Sequence, residues 1–237
     1  MTREIECPRV NLWKSVSSVV NKKCCYIRNS AKYFVILYRQ TNLDMCIFSE
    51  ASKKKLGNTI LYIAQYAKCP YKTEVLKLLF LMEERMVQLY HTPFLALPFS
   101  VWRLGPVSID VFEELSDGPV LLDEYISTQV QSCGGIKVLP KKEFDDDEFS
   151  DAEIEMMGYI MQKYGNMTSE QLINETHKPG SLWETTAREH GLLDDFNAKR
   201  ANSSSVVLDM GKQLCPDARA YYEESLAIRQ TANYMQL

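Results

Sequence analysis

The sequence has little of what most enzymes need. It holds three histidines in 237 residues, so metal-binding and hydrolytic patterns are quickly checked. There is no H-E-x-x-H and no G-x-S-x-G elbow. A phosphate-cradling P-loop and a G-x-G-x-x-G dinucleotide turn are also missing. No C-x-x-C pair occurs, and no histidine stands at zinc-ligand spacing from a cysteine. Long apolar runs are absent as well. The stretch 33–38 is apolar but far short of the ~20 residues that span a bilayer. The first 44 residues lack the h-region of a signal peptide. These absences remove the motif-bearing enzymes, the nucleotide-binding folds, the zinc modules and the membrane spans, and they call for no cofactor and no metal.

What is present is ordinary for a globular chain. Hydrophobic residues make up 46% and charged residues 24%, enough to bury a core without staples. The net charge is −4, which argues against a general affinity for nucleic acid or anionic membranes. The charge is uneven. Residues 1–44 carry eight basic and three acidic side chains, and the rest of the chain is acidic. Residues 1–44 show no sustained period and read either as a disordered arm or as a mis-assigned start, with Met45 the initiator. The seven cysteines, an odd number, read as reduced thiols of a cytoplasmic protein.

From Ser49 onward the pattern predicts a mainly α fold, a compact helical bundle with a small two-stranded β element. Ser49 caps a helix to about Ala67, with Leu56, Ile60, Ile63 and Ala67 on one face. A second helix runs from Thr73 to about Tyr90. It is apolar around most of its axis, with Glu74, Lys77, Glu84, Gln88 and His91 as a narrow polar stripe. Such a helix belongs at the centre of a bundle. Residues 94–104 read as extended, with Pro106 in the first turn of a helix reaching Leu115. Leu121–Val130 reads as a weak helix, and Gly135–Leu139 as a short strand pairing with the earlier extended segment. Three capping boxes, Ser150…Glu153, Thr168…Gln171 and Ser181…Glu184, open three further helices. A last helix spans about Asp217 to Arg229. The run Asp145–Glu148 lacks the spacing of a calcium loop and reads as a solvated acidic loop, and Lys53-Lys54-Lys55 as a solvated helix face.

Among candidate site residues, His177 closes a short helix, where an imidazole meets free carbonyls. Trp102 and Trp183 read either as core residues with satisfied indole N–H groups or as anchors for a protein partner. Arg103, beside Trp102, is placed to pair with an acidic residue or to reach a partner.

The string Trp102-Arg103-Leu104-Gly105-Pro106-Val107 follows an all-round apolar helix at Lys77–Glu84. An acidic linker, then Leu172-Ile173-Asn174-Glu175-Thr176-His177 and Trp183, come after it. In this order and spacing the residues resemble the Panacea domain, also described as SocA-like or GepA-like. The resemblance covers about residues 56–190 of a domain read as 45–237, with a helical tail at 206–232. Leu182 stands where the family often has proline. The resemblance implies Trp102, Gly105, Pro106, Val107, Thr176 and His177 as motif residues, and Arg103 and Trp183 as candidate partner contacts. It also implies an antitoxin of a bacterial or prophage toxin–antitoxin system, and not an enzyme. Its partner would be a toxin encoded by an adjacent gene, and an unfoldase-protease would take part in one branch. The competing reading is an enzyme using His177 with a carboxylate such as Glu175 or Asp194. A third, weaker reading is nucleic-acid binding through the basic residues of 1–44.

Overall fold

The computed structural model describes residues 49–132 and 134–235. The expected arm at 1–44 lies outside them. Eight helices and two small antiparallel sheets make up the described residues, the mainly α class that the periodicity predicts.

Helix α1 (Glu50–Tyr66) begins where Ser49 Oγ accepts the Ser52 N–H at 3.2 Å. Its apolar stripe, Leu56, Ile60 and Ile63, is buried. Helix α2 (Lys72–Tyr90) is the axis of the fold. It buries Val75, Leu76, Leu78, Leu79, Phe80, Leu81, Met82, Met86 and Val87. The chain leaves it at His91 in the left-handed region, φ 56°. Helices α3 (Ile109–Ser116), α4 (Asp151–Tyr164) and α5 (Ser169–Thr176) pack against it, together with α1. The polar stripe expected on α2 faces solvent only towards its C-terminal end, where Gln88 is exposed and Glu84 and His91 are half-buried. Glu74 and Lys77 are buried, and so is Glu83. Glu83 accepts N–H bonds from Phe94 (3.0 Å), Leu95 (2.8 Å) and Ala96 (3.3 Å), so one carboxylate shapes the turn that follows the helix. Burial raises its pKa against the pull of these amides and of Arg229.

Three local expectations are corrected. Pro106 does not open a helix. It sits in β2 (Gly105–Val107), paired across a tight hairpin with β1 (Ser100–Trp102) in the register Ser100↔Val107, Val101↔Pro106 and Trp102↔Gly105. Proline is tolerated there because the Val101 N–H points away, to Val206 O at 2.8 Å. Residues 121–130 are not helical. Glu114 draws in the Val120 and Leu122 N–H groups, and β3 (Ile126–Val130) follows with β-branched Ile126, Thr128 and Val130. The strand expected at 135–139 exists as β4 (Ile136–Pro140), but it pairs with β3 and not with the earlier strand. Each strand meets the neighbour reachable by a short turn, which gives two hairpins instead of one sheet.

The Ser150 and Thr168 capping boxes form as read. At the third, Ser181 Oγ accepts the Glu184 N–H, but the Glu184 carboxylate reaches the Gly180 N–H, one residue earlier. Helix α6 (Leu182–Glu189) follows that cap, and the short α7 (Leu193–Asn197), unforeseen from the sequence, comes next. Segment 202–208 then lies along β1, with Leu208 N–H on Phe99 O and a bridge between Ser100 and Val207. Helix α8 (Pro216–Met235) closes the chain. Its Arg229 donates to Phe94 O and stands 3.6 Å from Glu153, which pairs with Lys55 at 2.5 Å.

Candidate functional site

The residues singled out in the sequence come together where the β1–β2 hairpin meets α2, α5 and α6. A two-residue turn, Arg103-Leu104, leaves inward carbonyls that the short ladder cannot satisfy, and buried carbonyls need donors. Three side chains supply them. Trp183 Nε1–H donates to Trp102 O at 2.9 Å. His177 Nε2 stands 3.1 Å from Arg103 O. Lys77 Nζ donates to Pro106 O at 2.8 Å. The two sequence motifs are therefore two halves of one joint.

Gly105 makes the joint possible. Its φ is +98°, and a Cβ there would lie 2.8 Å from Thr176 Oγ1 and 2.9 Å from Lys77 Cε. Only glycine allows both the turn and the close approach. Val107 is buried beneath it. Thr176 is buried too. Its hydroxyl donates to Ile173 O at 2.9 Å, and its carbonyl accepts from Ser181 Oγ at 2.8 Å. This ties α5 to the start of α6.

His177 caps α5. Its Nδ1 is 2.6 Å from Ile173 O and its ring centroid 3.6 Å from that of Trp183. Both ring nitrogens thus face backbone carbonyls. Burial lowers its pKa, the two carbonyls oppose this, and the Lys77 charge adds to the lowering. A neutral ring has a single N–H, so it donates either to Ile173 O or to Arg103 O and not to both at once. Neither nitrogen is turned towards Glu175, whose carboxylate goes to Tyr164 Oη and Lys178, and no bond joins His177 to Asp194 among the described residues.

Trp183 is 4% exposed and stacks near Phe196 at 6.2 Å, so it offers no anchoring surface in this conformation. Trp102 is half-buried against Phe112, and its indole Nε1 is buried without a hydrogen-bond partner. Arg103 projects from the turn and donates from Nε to Asn202 Oδ1 at 2.7 Å. Leu104 beside it is 46% exposed.

Sequence reasoning gave no role to Lys77. A lysine inside the apolar run Lys77–Glu84 was the available signal. It is 1% exposed and has no carboxylate partner among the described residues, and burial lowers its pKa to about 7. Elsewhere, Asp145, Asp146 and Asp147 are the acidic group close enough to share a cation among the described residues. All three are exposed, as a solvated loop requires. No helix among the described residues is long and apolar enough to cross a membrane.

Residues 75–184 match the family model described as "Antitoxin SocA-like, Panacea domain". Every residue of the joint lies within that span. No curated protein and no solved structure matches the chain.

Proposed function

We propose that this chain, with its SocA-like Panacea domain, is a cytoplasmic antitoxin that neutralises a cognate toxin by binding it directly. The observation that carries the reading is the family match over residues 75–184. The geometry is compatible with it. The side chains of Thr176, His177 and Trp183 are engaged with backbone carbonyls, which favours a scaffold role over a reactive one. The apolar side chains left outside include Leu104 at the hairpin tip and Val207 on the strand-like segment beside β1. A toxin lying over the hairpin would meet Arg103 and Leu104 first. Such an interface would bury roughly 1,200–2,000 Å² in total. The acidic excess outside residues 1–44 would speed encounter with a basic toxin more than it would tighten the final complex. Delivery of the toxin to an unfoldase-protease is a further role that fits this reading.

The test is co-expression with the adjacent gene. The neighbour alone should arrest growth, and this chain should restore it. A Leu104→Glu variant should restore growth less well at an unchanged Tm. A neighbour that is harmless alone, or toxicity that persists beside this chain, refutes the reading.

A further inference from the structure

A cavity of about 290 Å³ opens where the first turn of α2 meets the hairpin. Lys72, Lys77 and Arg103 line it, with Trp102, Leu76 and Phe112 as its apolar walls. No acidic side chain is among the described residues that line it. In a chain with net negative charge, three basic side chains around one small cavity need a reason. Lys72 Nζ lies 4.0 Å from the Phe112 ring centroid and donates to Ser116 Oγ at 3.1 Å, both neutral partners. Asp117 acts on it only as a nearby charge. Lys77 is bonded to a carbonyl alone. Trp102 adds a buried N–H donor with no acceptor. The side chain of Tyr71, the N-cap residue, makes no bond to the first turn of α2, and Glu74, the acidic residue of that turn, is not part of the cavity lining, so Lys72 and Thr73 present the N-terminal end of a 19-residue helix to the cavity.

We propose that this cavity binds an anion, a phosphate or carboxylate joined to a small apolar group. The group would belong either to a free small molecule or to an acidic side chain of a bound protein. Lys72 and Arg103 reach the oxygens from the cavity rim. Lys77 acts from behind through its field, which is strong where water is excluded. Phe112, Leu76 and Trp102 take the apolar part. The anion supplies the negative charge that buried Lys77 lacks. The volume falls at the small end of ligand sites, which favours a ligand of a few heavy atoms beyond the anion.

The test uses the full chain and follows the Trp102 indole N–H by two-dimensional NMR, with Trp102→Phe assigning the signal. Phenyl phosphate and the peptide acetyl-Phe-Glu-amide are the anionic probes. Phenol and acetyl-Phe-Gln-amide are their neutral counterparts. At least one anion should shift the signal saturably with a Kd of about 1 mM or tighter, and Lys72→Met and Lys77→Met should each weaken it about tenfold. The tighter of the two anions identifies the source. Absence of saturation by both anions, equal shifts from the neutral probes, or unchanged affinity in both lysine variants overturns the proposal. None of these outcomes depends on the co-expression result.

Discussion

Replacing Lys77 with methionine should stabilise the protein at neutral pH and destabilise it at high pH. The side chain is buried, and burial lowers its pKa from 10.5 to about 7. A base depressed in the fold weakens the fold wherever the unfolded chain keeps a proton that the folded chain releases. Stability therefore rises with pH between about 7 and 10.5. At ~1.4 kcal/mol per unit, the lysine costs the fold ~4 kcal/mol near pH 7 and ~1 kcal/mol near pH 9.5. Removing the amine forfeits the bond to Pro106 O and leaves that carbonyl unpaired, a loss of ~2 kcal/mol. The thioether preserves most of the packing. Lys77→Met should thus gain ~2 kcal/mol near pH 7 and lose ~1 kcal/mol near pH 9.5. Guanidinium titrations of both proteins at the two pH values measure the difference, in which every shared titration cancels. A variant less stable at neutral pH, with a stability profile parallel to that of the parent, would show that the lysine is not an unpaired buried cation.

Gly105→Ala should destabilise by ~2 kcal/mol or more, because the left-handed φ and two contacts under 3 Å act together; urea unfolding reads it. Glu83→Gln should cost ~2 kcal/mol in thermal unfolding, since an amide cannot accept the three N–H bonds as a carboxylate does. Glu84→Gln should act in the opposite sense. Burial, and then the Glu175 charge, raise the Glu84 pKa to about 7, so ionised Glu84 weakens the fold. The substitution should add ~3 kcal/mol near pH 8 and nothing near pH 4, and denaturant midpoints at the two pH values check it.

Much of the helical framework was legible because each signal was local. Ser49, Ser150 and Thr168 cap where hydroxyl spacing says they should, and the apolar girth of α2 puts it on the axis. The strands were harder. Pro106 is equally at home in a first helical turn and on a strand edge, and what decides is Gly105 turning the chain back, a tertiary fact. Residues 121–130 carry apolar spacing compatible with a helix until Glu114 pins the turn before them. At the joint, the motif residues were readable in the sequence but their use was not. His177 was readable as a cap from its place after α5. That its other nitrogen faces Arg103 O, and that Trp183 holds Trp102 O, depends on contacts spanning some eighty residues. Lys77 looked like one more polar position on a helix face.

A signature built from Trp102, Gly105, Pro106, Thr176, His177 and Trp183 is a fastening, and a fastening can be inherited unchanged while the outer surface is rewritten. Substitutions at Arg103 and Leu104, which the fastening leaves on the outside, can therefore change the surface of the hairpin without loosening it.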